Sequence, residues 1–376
     1  MSDSYEYIRE MASAFAEVHI IPHAARWDQM PEPRRFPFEL YRALGDAGFL
    51  GFSGSPDHGG RGRPFSESVV LIEELAYYDV AVAVMTGIPR LVTHPILSFG
   101  TEVQKQQYVA PCLSGETVCA FALTEPAAGS DAAGLKTTAK PTPDGYVISG
   151  DKMFITHAEA ADVALLFCKI EDQDKPSAFI VETGQPGWDA RVLKQKLGIR
   201  ATTTCAVKIR DLEVPASALL GEEGRGFRYA METLDGARVS VAAQALGLSR
   251  RCLDESIEHA KGRVAFGKPI AKQQAIQWMI ADMSTRLEAA RLLTYMAAAL
   301  IDEGDRCTLE AAQAKLFATE ASNFCADRAM QIHGGYGYVG DCSVIEKLYR
   351  DQRFLEIGEG TSEIQRRVIS GQLLGR

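Results

Sequence analysis

The chain switches twice between two hydrophobic periods. Up to about residue 115, apolar positions recur at steps of three and four, as in the run 65–78, where Val69, Ile72, Leu75 and Ala76 make one stripe. This predicts helices, with Pro31, Pro33, Pro37, the Gly-rich stretch 51–62 and Pro89 each stopping or bending the run they touch. From about 117 to 225, short segments rich in β-formers alternate with turn residues, which predicts strands at 118–123, 146–149, 163–170, 177–181 and 204–209. Asp144-Gly145 and Ser149-Gly150-Asp151 read as turns, and strands this closely spaced suggest a small barrel or sandwich. After Gly226 long helices return: Ile276, Ile280, Met283, Leu287 and Ala290 form a stripe in a run of about 25 residues, a length that suits a bundle. The expected organisation is α+β and multidomain, with a helical domain (1–115), a middle β domain (116–225) and a C-terminal helical bundle (226–376).

Length agrees, since 376 residues at roughly 150 per domain give two to three domains. With 46% hydrophobic and 24% charged residues the chain can fill large cores. A net charge of -9 and the lack of a dense Lys/Arg cluster argue against nucleic acid. Residues 1–6 are polar and acidic, unlike a secretory signal, and no uninterrupted apolar run reaches the 18 or so residues of a membrane span, so a cytoplasmic location is expected. The eight cysteines are scattered and read as reduced, mostly buried thiols. His19 and His23 have helical spacing, but Pro22 lies between them and no further ligand follows, so no metal is expected.

No nucleophile elbow, P-loop, zinc motif or dinucleotide-binding glycine motif is present. What stands out is a series of polar motifs: FALTEPAAGSD at 121–131, MFIT at 153–156, LDGAR at 234–238, RVAFGKPI at 263–270 followed by Gln274, QIHGG at 331–335, and EIGEGTSEIQ at 356–365. All but the 263–270 motif have an ordinary structural reading, that of QIHGG being a plain helix C-cap. The first is a β-turn after a strand, the second a core strand, the third an i,i+3 ion pair, and the last a helix cap from Thr361 or Ser362.

Taken together, from about residue 6 to 376, these motifs resemble the acyl-CoA dehydrogenase family, FAD-dependent flavoproteins that remove hydrogens from Cα and Cβ of an acyl-CoA thioester. The resemblance implies a middle β-barrel or sandwich between the helical N-terminal domain and a C-terminal four-helix bundle. It places Phe121, Leu123, Thr124 and Ser130 against the flavin, with Ser130 also near the pantetheine, and has Phe154 cover the ring while Thr156 bonds near N5. Ala127 and Phe154 depart from the Gly and Trp common there. Asp235 and Arg238 would hold the CoA tail. Arg263, Phe266 and Gln274, with Gln331, Gly334 and Gly335, would reach FAD across a subunit boundary, which implies a homotetramer.

By the same resemblance Glu359 takes the α-proton, hydride passes from Cβ to flavin N5, Thr361 and Glu363 touch FAD, and the Glu359 amide with a flavin ribityl hydroxyl bonds the thioester oxygen. Some members carry the base at the position of Ala237, and alanine cannot accept a proton. Gly358 and Gly360 flank the base in the substrate site. Gly358 stands where many straight-chain members carry an aromatic residue, so short, branched or cyclic acyl groups are expected. Arg90 falls in a segment that by resemblance passes the distal end of the acyl pocket, where it would need an anion or would pair with a structural acid. Electron-transfer flavoprotein would reoxidise the enzyme. An acyl-CoA oxidase or enoyl-CoA reductase on the same scaffold, and a flavin-free binding protein, remain as alternatives.

Overall fold

The computed structural model describes residues 3–375; Met1, Ser2 and Arg376, and what was read from them, lie outside. Six helices come first: α1 (Asp3–His19), α2 (Ala24–Asp28), α3 (Phe38–Asp46), α4 (Phe65–Tyr78), α5 (Val80–Phe99) and α6 (Glu102–Ser114). The α4 stripe falls as expected, with Val69, Ile72, Leu75 and Ala76 all buried. Pro89 does not stop its run. It lies inside α5 together with Pro95. The local cost of proline, about 3 kcal/mol, is outweighed because α5 buries Val82, Met85, Ile88, Val92 and Ile96 in the core. By length and composition α5 is also apolar enough to cross a membrane, but 78% of that window is packed inside the protein.

Eight strands follow: β1 (Cys119–Ala122), β2 (Thr138–Thr142), β3 (Gly145–Thr156), β4 (Val163–Ile170), β5 (Pro176–Glu182), β6 (Trp188–Val192), β7 (Thr204–Pro215) and β8 (Leu219–Leu220). They form one mixed sheet in the order β6-β7-β3-β2-β4-β5-β8, with β1 added parallel to β4. Along β4 the side chains alternate between two cores. Val163, Leu165 and Phe167 pack with Val92 and Ile96 of α5, while Ala164, Leu166 and Cys168 pack with Phe179, Val207 and Ile209 across the other face. The expected turn at Ser149-Gly150-Asp151 is instead the middle of β3, which continues through a register shift between Ile148 and Gly150 and stays paired with β7.

The bundle begins with α7 (Gly226–Gly262), passes through the short hairpin β9 (Val264–Ala265) and β10 (Lys268–Pro269), and continues with α8 (Gln274–Glu303), α9 (Thr308–His333), α10 (Gly335–Tyr338), α11 (Ile345–Leu355) and α12 (Ser362–Leu373). Met283, Leu287 and Ala290 of the α8 stripe are buried; Ile276 and Ile280 are partly so. N-terminal helix α4 packs on α7, so the bundle core includes residues from both ends of the chain. All eight cysteines are free, seven of them buried.

Helix α11 joins the three regions through ion pairs. Lys347 Nζ lies 3.1 Å from Asp79, the N-cap of α5, and 2.5 Å from Asp351, whose other oxygen accepts the Ile199 amide of the loop before β7 at 2.6 Å. Arg350 donates to both Asp28 oxygens, at 3.1 and 2.7 Å, and to the Leu197 carbonyl at 3.0 Å. The two neighbouring carboxylates hold the Lys347 ammonium above its usual range in spite of burial. Lys347→Met leaves Asp79 and Asp351 buried without a cation and is expected to cost about 3–5 kcal/mol. Denaturant melts check this against Lys261→Ala, at the exposed Lys261/Glu258 pair; equal midpoints for the two variants would remove α11 from this role.

Candidate active site

A cleft of about 1910 Å³ opens where α5, the ends of β1 and β3, the start of α7 and the α11–α12 turn converge. Its lining includes Arg90, Phe121, Leu123, Thr124, Ser130, Phe154, Thr156, Asp235, Arg238, Gly358, Glu359, Gly360 and Thr361, so thirteen positions picked out from separate motifs meet around one space. Glu363 does not join them. It is exposed on the first turn of α12.

The 121–131 loop is shaped by a residue to which its motif gave no role. Glu125 is buried and accepts the amides of Lys136 and Thr137 at 2.5 and 2.9 Å, and the Lys152 ammonium at 2.9 Å. Lys152, also buried, donates to the Leu123 carbonyl at 3.0 Å. Coulombic attraction to Lys152 helps to hold the Glu125 carboxyl below its usual range even though burial opposes it. This pair ties the loop to β3, whose last residues carry Phe154. Phe154 has a left-handed φ of 60° and is 64% exposed, so a large ring is held open to the cleft at a backbone cost.

Glu359 is likewise left-handed, at φ 55°, and is followed by Gly360 at φ 94°. This turn is fastened from behind. Gln365 Nε2 donates to the carbonyls of Glu359 and Gly360 at 3.1 and 2.8 Å, Lys315 Nζ donates to the Gly360 carbonyl at 2.8 Å, and Thr361 caps α12. Burial raises the Glu359 carboxyl above its usual range, while Arg238 and Lys315 pull it back down. Burial also pushes the Lys315 ammonium down to about 8. Lys315 was not found from sequence; its only signal is a lone cation on a stretch of α9 whose other buried residues are mostly Ala, Ser and Thr.

Asp235 and Arg238 do form the i,i+3 pair, at 2.5 Å, and the second Asp235 oxygen accepts from Thr308 at 2.6 Å. Arg238 Nε is buried with no hydrogen-bond partner among the described residues, an unused donor in a cleft wall. Gly358 does not leave an open space: a Cβ there would come within 2.8 Å of the Phe354 ring, which also lines the cleft. The premise that this glycine widens the site is therefore corrected, because α11 supplies an aromatic ring from one turn earlier.

Arg263, Phe266, Gln274, Gln331, Gly334 and Gly335 are not part of this cleft. They gather where α7 ends and α8 begins, beside the α9–α10 turn. Arg263 stacks over Tyr336 at 5.4 Å, and Phe266, at φ 53°, is 95% exposed.

Family models match in three parts: the acyl-CoA dehydrogenase N-terminal domain over residues 2–116, the middle domain over 120–212 and the C-terminal domain over 224–374. The chain belongs to the acyl-CoA dehydrogenase family of FAD-dependent oxidoreductases. It is 41% identical to a protein named short-chain specific acyl-CoA dehydrogenase, mitochondrial, of Bos taurus, over 100% of this chain and 91% of that one. It is 42% identical to the caffeyl-CoA reductase-Etf complex subunit CarC of Acetobacterium woodii, over 99% of each. The structure of butyryl-CoA dehydrogenase from Megasphaera elsdenii superposes with a TM-score of 0.94 at 37% identity, covering 100% of this chain and 99% of that one.

The cleft fits a flavin. It holds an uncovered aromatic ring at Phe154, hydroxyls at Thr124, Thr156 and Ser130, and an apolar wall from Phe121 and Leu123. The electrostatics around Glu359 give a pH test. Lys315→Met removes a cation that lowers the Glu359 carboxyl, so that group should titrate at higher pH and the acid limb of the rate profile should shift upward, while Lys315→Arg restores it. An unmoved limb in Lys315→Met would show that Lys315 does not act on Glu359.

Proposed function

We propose that the protein dehydrogenates a short acyl-CoA to the trans-2-enoyl-CoA, with Glu359 as the base. One observation carries this reading: a carboxylate is held in a strained turn on the wall of the cleft, raised in proton affinity by burial yet kept ionisable by Arg238 and Lys315. A thioester α-proton is too weakly acidic for a carboxylate in water, and a desolvated, fixed carboxylate is the group suited to take it. Bound FAD supplies the acceptor for the hydride that leaves Cβ. Phe154 covers the ring, Thr124 and Thr156 bond its edge, Thr361 adds a contact from the α11–α12 turn, and the Glu359 amide bonds the thioester oxygen. Asp235 and Arg238 hold the CoA tail, with Ser130 along the pantetheine.

The cluster of Arg263, Phe266, Gln274, Gln331, Gly334 and Gly335 fits a surface that completes the cofactor site of a second copy, in a homotetramer. The exposure of Phe266 supports this. Glu363, exposed beside Thr361, keeps only a peripheral place. The three-part division at 1–115, 116–225 and 226–376 follows the change from helix to sheet and back. An electron-transfer flavoprotein is the proposed redox partner, supported by the Acetobacterium relative's name. That relative is named a reductase, and in the reverse direction protonated Glu359 would return its proton to Cα.

Glu359→Gln preserves the turn but cannot accept the proton, so FAD and acyl-CoA binding should remain while flavin bleaching by butyryl-CoA in a single turnover slows by about 10⁴-fold or more. Bleaching within a few-fold of wild type would assign the proton to another residue. Acyl shape tests Phe354: with its ring filling the side of Gly358, Phe354→Ala should raise turnover of isobutyryl-CoA relative to butyryl-CoA. An unchanged ratio would place the branch elsewhere.

A further inference from the structure

Three sheltered ammonium groups in this protein face carboxylates: Lys152 meets Glu125, Lys347 meets Asp79 and Asp351, and Lys315 acts on Glu359. Lys196, in the loop between β6 and β7, is different. It forms no ion pair among the described residues and donates to three neutral oxygens, the Thr202 carbonyl at 2.7 Å, the Thr202 hydroxyl at 2.8 Å and the Thr204 hydroxyl at 3.3 Å. The acids whose charge reaches it are engaged elsewhere. Asp351 accepts from Lys347 and the Ile199 amide, and Glu159 accepts from the Thr203 hydroxyl and the Cys205 thiol at 2.8 and 3.0 Å.

Lys196 lines the cleft together with Thr204, which is the β7 partner of Thr156 at the end of β3. The ammonium therefore sits beside the strand end proposed to bond the flavin edge. Its loop is held against α11: the Leu197 carbonyl accepts from Arg350 at 3.0 Å, and a Cβ at Gly198 would come within 2.5 Å of the Arg350 carbonyl. An ammonium has three N–H donors, and all three are used, so Lys196 reaches a cleft ligand through its field and not through a hydrogen bond. The loop needs donors at this point, which a neutral amide also supplies. A charge adds a desolvation cost that these bonds do not require.

The surroundings leave that charge nearly alone. Burial lowers the ammonium to about 7; Asp351 of α11 raises it, Arg34 between α2 and α3 lowers it, and Cys205 of β7 and Glu159 after β3 raise it. Burial and Glu159 keep Cys205 a neutral thiol. His157 is lowered to about 3 by burial and by Lys196 itself, so it carries no charge here.

Resting on the reading of the cleft as the flavin site of a dehydrogenase, we propose that Lys196 raises the reduction potential of bound FAD by holding a fixed positive charge beside it. Reduction adds two electrons to the flavin, and a nearby cation that needs no reorganisation favours the more negative form. The test is the midpoint potential of the FAD-loaded protein, measured against reference dyes from about pH 6 to about pH 9, for wild type, Lys196→Arg and Lys196→Gln.

At the acid end the wild type should match Lys196→Arg, and Lys196→Gln should be about tenfold harder to reduce, a shift of about 30 mV for a two-electron couple. Towards the alkaline end the wild type should lose its proton and fall to the Lys196→Gln potential while Lys196→Arg keeps its charge. Equal potentials for wild type and Lys196→Gln at the acid end overturn the proposal. Where Lys196→Gln does not retain FAD, the Arg variant decides in its place, and wild-type and Lys196→Arg profiles that stay parallel to the alkaline end overturn it. Potentials that follow Lys196 in a protein whose flavin no short acyl-CoA bleaches would sink the dehydrogenase reading and leave this one; bleaching by butyryl-CoA with one potential for all three proteins would do the reverse.

Discussion

The placement of the site depends on the buried charge pairs along α11. Its first turns reach backwards in sequence to Asp28 and Asp79 of the N-terminal helices and sideways to the Leu197 carbonyl and Ile199 amide of the β region. Four residues after its last turn comes Glu359. A helix is stiff over this distance, so fixing its ionic side against two other regions also fixes where the following turn faces the cleft. Hydrophobic packing is non-directional and would tolerate small slides between the regions. Charge-assisted hydrogen bonds at 2.6–3.1 Å to the Asp28 carboxylate, the Leu197 carbonyl and the Ile199 amide, with the Lys347–Asp79 ion pair at 3.1 Å, tolerate far less.

The site itself is made of arrangements that disfavour folding locally. Phe154 and Glu359 both adopt left-handed backbone conformations without being glycine, Lys315 is buried with a single hydrogen bond, and Arg238 Nε has no partner among the described residues. Each costs on the order of 1–3 kcal/mol. The surrounding structure over-determines them: the Glu125/Lys152 pair on one side, and Gln365, Lys315 and the Thr361 cap on the other. Strain gathered at the wall of one cleft, among groups that would meet a ligand, fits a preorganised site better than a packing fault.

Much of this was legible in the sequence where the signal was periodic or punctuated. The α4 stripe and the strand at 163–170 lie where their patterns placed them, and residues of the motifs at 121–131 and 356–365 border the same cleft. Strands β2, β6 and β8 were not visible, since Thr138–Thr142 is mostly polar and exposed, Trp188–Val192 alternates apolar and polar residues over only five positions, and β8 has two residues; each is defined by pairing with a neighbour. The same holds for Gly150, where turn composition lost to the ladder with β7. Pro89 misled because burial on several sides outweighs a local breaker. Lys315, Lys152 and Phe354 were missed for one reason. Their importance comes from what they touch across 45, 27 and a few residues of sequence, and spacing within a motif carries no trace of such contacts.

The two groups of motif residues separate for a physical reason too. Residues bordering the cleft are held by contacts within this chain, whereas Phe266 stands 95% exposed on a left-handed backbone with no packing of its own to reward that conformation. A single chain gains nothing from presenting a phenyl ring to water in a strained turn. Beside it, the Arg263 cation rests, among the described residues, on an exposed Tyr336 ring, and Val264 and Trp278 are exposed as well. An exposed aromatic, a cation with an unfilled hydrogen-bonding edge and flanking apolar residues are the composition of an interface centre rather than of a monomer surface. The chain thus divides its chemistry between the cleft and an exposed patch which, on the proposed reading, completes the cofactor site of a second copy.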